Sequence, residues 1–308
     1  MIYWRGGRNE PPPNARFRLM PFGGGAAVAF SQRKEKLPPS YETLPPHSRT
    51  DLPDKPAWHV AVRDALRQIE LGVFDKVVLA RETTLTFDEP LDPFRLTARL
   101  GRRAKNATVF CCALPSGRAF LGASPERLFQ RKGRSVSADA IAGTRRLGAL
   151  HATELLASEK DAREHRFVEQ YLETQLSKLC TAPVERTSVR IRETTSVQHL
   201  FSKLTGELQA GVSDDTLLEA LHPTPAVCGA PRAAAGQWLL ANEPFSRGYY
   251  AGVVGWSTPT ESEWIVAIRS GLLEGHCLKL YAGTGIVAGS DPESEWNELE
   301  AKLGTYLD

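Results

Sequence analysis

The 308-residue chain lacks an excess of either charge: 38 Lys and Arg stand against 36 Asp and Glu, a formal net charge of +2. So close a balance argues against a strongly basic nucleic-acid binder and leaves room only for a local patch. No apolar run approaches the ~20 residues that cross a bilayer, and the start, MIYWRGGRNEPPP, lacks the apolar middle of a signal peptide. A cytoplasmic location is expected, with neither nucleic acid nor membrane as partner. Cysteine is scarce: Cys111, Cys112, Cys180, Cys228 and Cys277 form an odd set without CxxC spacing. That speaks against a disulfide framework or a zinc knuckle, and Cys111 and Cys112 in TVFCCAL read as buried thiols. The seven histidines also fail metal spacing, with no pair at i,i+4.

What is present is ordinary globular material, 42% hydrophobic and 24% charged, in a length that fits one large domain or two small ones. Ten of the 21 prolines fall within residues 1–56, beside Gly23-Gly24-Gly25. This segment reads as irregular, with FGGGAAVAF as a possible edge strand. A second unit is expected over 57–308. Trp58, Val62, Ala65, Leu66 and Ile69 follow helical spacing up to Gly72. KVVLARETTLTF reads as a central strand, and VFCCAL, AFLGAS, RLFQ and SVSAD as short strands with a hairpin turn at 131–134. YYAGVVGW, EWIVAIR and CLKLYAG make a second strand group. A long helix over about 159–180 and a last one over about 292–307 bury apolar stripes. Strands in groups favour an α+β fold of antiparallel sheets flanked by helices.

Several polar residues fall on apolar faces. Lys76 opens KVVLAR on the face of Val78 and Ala80, where desolvation would lower its pKa and suit a general base. A strand-end lysine reaching water is the plainer alternative. Glu126 follows Gly122 and Pro125 beside Leu121 and Leu128, a setting for an acid of raised pKa, unless Arg127 or Arg131 pairs it at a solvated edge. Glu164 precedes Phe167 and Val168 by three and four residues, so it projects toward the core and calls for a buried cation. In the last helix Glu295, Glu298 and Lys302 share a face; either Glu298 simply pairs with Lys302, or two inward glutamates on two helices serve Mg²⁺. AGTGIVAGS mimics a dinucleotide fingerprint without its βαβ context. It reads better as a glycine loop approaching a carboxylate, with Arg269 of the strand IVAIRSG completing an anion site.

KVVLAR, GASPERL, AIAGTRRLG, LLASEKDAREH, LHPTPAVCG, RGYYAGVVGW, EWIVAIRS and YAGTGIVAGSDPESEWNELEAKL occur in this order. The ordered set resembles the chorismate-utilising enzymes, among them isochorismate, salicylate, anthranilate and aminodeoxychorismate synthases. The resemblance covers about residues 57–308. HPTPAVCG and the lysine of KVVLAR are similar to the isochorismate synthase branch, and RGYYAGVVGW to its menaquinone-type members. Relatives carry a longer N-terminal region, so the first sheet is expected to be shortened here.

The resemblance implies the fold of anthranilate synthase component I, with antiparallel sheets packed face to face. It implies Lys76 as general base and Glu126 as general acid. Glu164 and Glu298 match Mg²⁺ ligands, with Glu295 as a water-mediated contact. Ala226, Arg269, Gly283 and Lys302 match substrate contacts, and Gly143 with Thr144 belongs to the same pocket. The implied reaction is Mg²⁺-dependent conversion of chorismate to isochorismate by a monomer or weak homo-oligomer, on a menaquinone or siderophore route. Salicylate synthase, an anthranilate synthase component I-type enzyme and a non-catalytic chorismate-binding subunit are the alternatives.

Overall fold

The computed structural model describes residues 1–5, 10–33, 35–42 and 45–307. In chain order its elements are β1 (Ile2–Arg5), β2 (Arg16–Met20), β3 (Val28–Phe30), β4 (Ser48–Leu52), α1 (Lys55–Glu70), β5 (Lys76–Thr86), α2 (Pro93–Arg103), β6 (Thr108–Ala113), β7 (Ala119–Ser124), β8 (Arg127–Lys132), β9 (Ser135–Arg146), α3 (Ala149–Ala157), α4 (Glu159–Ser177), β10 (Glu185–Arg186), β11 (Arg190–Glu193), β12 (Val197–Glu207), α5 (Asp214–Leu221), β13 (Gly229–Ala230), α6 (Arg232–Asn242), β14 (Val253–Ser257), β15 (Glu261–Val266), β16 (Ser270–Glu274), β17 (Cys277–Val287) and α7 (Pro292–Leu307).

Local chemistry explains where the main helices begin. Asp54 accepts from the Ala57 amide and opens α1, Ser158 accepts from the Asp161 amide and opens α4, and Asp291 accepts from the Ser294 amide ahead of α7. Gly72, at φ +71°, follows the end of α1.

The strands form two antiparallel sheets. The first runs β1-β6-β7-β16-β17-β5-β13, with β4 also on β5; the second runs β10-β12-β9-β8-β15-β14-β2-β3, with β11 also on β12. They pack face to face through Ile2, Trp4, Phe110 and Phe120 of the first sheet against Phe17, Leu19, Val254 and Trp256 of the second. Trp58, Val62 and Ala65 of α1 join Trp296, Leu299 and Leu303 of α7 in the core on the first sheet. On the second sheet, Ala138, Ala140 and Ala142 of β9 lie in the same core cluster as Val168, Leu172 and Leu176 of α4. Three alanines at alternate positions leave little side-chain bulk there, so α4 can approach β9 closely.

Residues 1–56 hold more regular structure than their prolines suggest. The possible edge strand is found at Val28–Phe30, on the rim of the second sheet. Beyond it, β1 pairs with β6 and β2 with β14, one in each sheet, and β4 pairs with β5. Ile2 and Trp4, like Phe17 and Leu19, alternate inward with period two, and burial of those four side chains outweighs the breakers around them.

Two short connections carry the chain from one sheet to the other. Pro125-Glu126 joins β7 to β8, and residues 267–269 join β15 to β16. The connections lie side by side: the Ala123 amide donates to the Arg269 carbonyl at 2.9 Å, and the Val266 amide to the Glu126 carbonyl at 3.0 Å. Arg269 is therefore not inside a strand, as IVAIRSG suggested. It sits at the crossing with φ +49°, a left-handed turn the chain makes to change sheets.

Candidate active site

Glu126, at the first crossing, is 3% exposed. Burial pushes its carboxyl up to about 8, with Asp139 adding to the rise and Lys76, Arg269 and Lys302 opposing it. Arg127 and Arg131 do not neutralise it, because they are bonded to Asp139 and Asp214. Lys76, where β5 begins, is fully buried, and its Nζ lies 3.1 Å from Glu164 Oε1 on α4. The cation that an inward-facing Glu164 required is thus Lys76.

β17, paired with β5, runs beside these groups. A Cβ at Gly285 would collide with the Glu164 carboxylate and crowd the Lys76 stem, so glycine there lets α4 and β5 meet over the strand. AGTGIV is accordingly strand, not loop. The Gly283 carbonyl accepts from Lys302 Nζ at 2.7 Å, and a Cβ at Gly283 would strike the Tyr250 hydroxyl. Thr284 Oγ1 stands 2.5 Å from Glu295 and 3.0 Å from Glu298, joining both carboxylates of α7 to the strand.

Arg269 donates to His199 Nε2 at 3.2 Å. A guanidinium only donates, so Nε2 accepts and Nδ1 carries the ring proton, 3.1 Å from the Gly143 carbonyl and 3.1 Å from Thr144 Oγ1. Burial and the neighbouring Arg269 lower the His199 pKa to about 3, so the ring is neutral and holds the guanidinium in place. Gly143 has φ +68° and packs against Asp161 of α4.

These residues meet around one narrow inner cavity lined by Glu126, Ala142, Gly143, Thr144, Glu164, His199, Ala226, Tyr250, Arg269, Gly283 and Lys302. The Ala226 segment is tied down by buried Arg247, which donates to the carbonyls of Val227 and Val78 and pairs with Glu243. An outer vestibule of about 440 Å³ shares Thr144 with the inner cavity and carries Glu295, Glu298, Lys160 and Arg145. Ten of the eleven residues singled out from the sequence line these two cavities; Lys76 lines neither and meets the inner one through Glu164. His199 and Tyr250 also line the inner cavity and were not singled out. Tyr250 stood in plain view within RGYYAGVVGW, whereas His199, in the apolar run of β12, offered no local signal.

Each acidic residue proposed for metal has a lysine partner: Glu164 with Lys76, Glu298 with Lys302 and Glu295 with Lys160. Burial raises Glu298, but Lys302 and Lys160 outweigh it and hold the carboxyl below its usual range. Burial and the adjacent Glu298 raise Glu295. Among the described residues no three acidic, histidine or cysteine side chains converge as a ready-made cage. Mg²⁺ needs no such cage, since it keeps several waters and takes one or two carboxylates. The donors are all hard oxygens and come from two helices, so their chemistry fits that ion.

A sequence profile of the chorismate binding enzymes matches residues 26–308. Isochorismate synthase 2, chloroplastic, of Arabidopsis thaliana is 41% identical over 84% of this chain and 48% of its own length. Isochorismate synthase MenF of Bacillus subtilis is 39% identical over 81% of this chain and 54% of its own. The chain thus spans about half the length of these curated relatives. The solved structure of MenF, the menaquinone-specific isochorismate synthase of Escherichia coli, superposes with a TM-score of 0.84 at 30% identity, covering 96% of this chain and 79% of that one. No helix among the described residues is long and apolar enough to cross a membrane.

Proposed function

The chain belongs to the chorismate-binding enzymes, and from that premise we propose that it converts chorismate to isochorismate. The observation that carries this reading is the buried carboxyl of Glu126, raised to about 8 and so protonated at neutral pH, facing a cavity that also holds two cations, Arg269 and Lys302. A neutral acid beside fixed positive charge suits a dianionic substrate that must lose a hydroxyl.

In the proposed reaction Lys76, as the neutral amine, takes a proton from a water whose oxygen bonds to C2 of the ring. The ring double bonds shift, the C4–O bond breaks, and Glu126 gives its proton to the departing hydroxyl, which leaves as water. The proton now on Lys76 is returned to Glu126 through solvent, so substrate and product differ only in where the hydroxyl sits. Lys76 rests against Glu164 as a cation, so it first gives up a proton to solvent, and the ion pair parts, before the neutral amine can take one from the attacking water. Arg269, held by neutral His199, and Lys302, held by the Gly283 carbonyl, orient the substrate carboxylates by charge-assisted hydrogen bonds. Glu164 and Glu298, with Glu295 through water, would hold Mg²⁺, which when bound supplies electrostatic stabilisation to a substrate carboxylate.

Ala142 lines the cavity at the position where the resemblance puts a lysine nucleophile in aminodeoxychorismate synthases, which speaks against that branch. The test is incubation of the purified protein with chorismate, Mg²⁺ and ammonium salt, followed by mass spectrometry. Isochorismate alone is expected; anthranilate or aminodeoxychorismate would overturn the branch, salicylate with pyruvate would move it to salicylate synthase, and unchanged chorismate would make the chain a binding subunit.

A further inference from the structure

We propose that Lys160 is the resident counter-ion of the α7 carboxylates and that a divalent cation binds them by displacing it, an inference resting on the metal role proposed above. Three lysines partner the acidic groups, but they differ in what else holds them. Lys76 is fully buried, and Lys302, 11% exposed, also donates to the Gly283 carbonyl. Lys160 is 27% exposed and donates to Glu295, whose side chain is 1% exposed. It alone of the three faces the outer vestibule of about 440 Å³, which gives its chain somewhere to swing.

Local helix chemistry does not account for a cation at this position. Lys160 lies in the first turn of α4, between Glu159 and Asp161, where the exposed amides favour negative charge. Its placement follows instead from α7: Glu295 and Glu298 share Thr284 and repel each other, and a buried carboxylate without a cation is costly. Lys160 supplies that cation while the site is without metal. A divalent ion brings twice the charge to the same oxygens, so the two compete for Glu295, and the lysine leaves through the vestibule.

The test is calorimetric titration of Mg²⁺ alone into the full chain, metal-stripped and without chorismate. Wild type is compared with Lys160→Met and with Lys160→Gln, which keeps a hydrogen-bond donor and guards against loss of folding. Removing a competing ion pair should tighten Mg²⁺ by up to about fivefold in both variants, the factor expected of a partly exposed pair. Metal-free variants should melt below wild type, and Mg²⁺ should raise their melting temperatures by more. Affinity equal to or below wild type would overturn the displacement and leave the metal site standing. Absence of Mg²⁺ binding in all three proteins would overturn both.

Discussion

The two halves of the site are built differently. Glu126 and Arg269 sit at paired crossings between the sheets, and Lys76 opens the strand β5; none is more than 7% exposed. Glu164, Glu295, Glu298 and Lys302 come instead from α4 and α7, and Glu295 and Glu298 face the open vestibule. The strand-borne groups are set by ladders of backbone hydrogen bonds and by two crossings bonded to each other. The helix-borne groups depend on side-chain ion pairs that a ligand can exchange. Proton transfer needs fixed distances and low hydration, while capture of a cation and a dianion needs access.

The comparison breaks most visibly if the wrong half controls turnover. Lys76→Ala and Glu126→Gln should each lower kcat by ~10²–10⁴, while calorimetric affinity for chorismate with Mg²⁺ changes only a few-fold. An equal fall in affinity would place these groups in binding. In the helix half, Glu164→Ala or Glu298→Ala should reduce kcat/KM by at least about 10², because each removes a proposed ligand and the carboxylate partner of a lysine, Lys76 or Lys302. Excess EDTA should stop the wild type, and full turnover in EDTA would sink the metal assignment.

Protonation sharpens the contrast. Glu126 donates only while protonated, so activity should fall as pH rises through about 8. The same raised carboxyl affects folding: the unfolded chain gives up this proton near the ordinary value of 4.5, the folded chain only near 8. Stability from this group is full below 4.5 and is lost as pH rises toward 8. Glu126→Gln should therefore be the more stable protein at pH 9, by on the order of a few kcal/mol in denaturant titrations, though nearly inactive. A variant less stable than wild type at pH 9 would show that the carboxylate is paired. The smallest effect should come from Thr284→Val, which removes a hydroxyl shared by Glu295 and Glu298. Mg²⁺ affinity should weaken by about tenfold at most, with turnover at saturating Mg²⁺ unchanged; a fall in saturated turnover would tie the helix half into the chemical step.

Much of this was legible before folding. Apolar periodicity located α1, α4 and α7, because side-chain neighbours on a helix lie within four residues of one another. Inward-facing Glu164 announced a buried cation, since an unpaired carboxylate is not tolerated in a core. Eight ordered blocks carried the family and pointed to eleven candidate site residues. Which cation meets which carboxylate was not legible. Lys76 reaches Glu164 across 88 positions and Lys160 reaches Glu295 across 135, distances over which no periodicity speaks. The placement of Arg269 at a crossing, the neutral His199 behind it and the strands drawn from a proline-rich start were likewise decided in three dimensions. Local chemistry chooses helices and faces, but only the register of β5, β9 and β17 brings residues more than a hundred positions apart to the same few ångströms, where burial sets their charge.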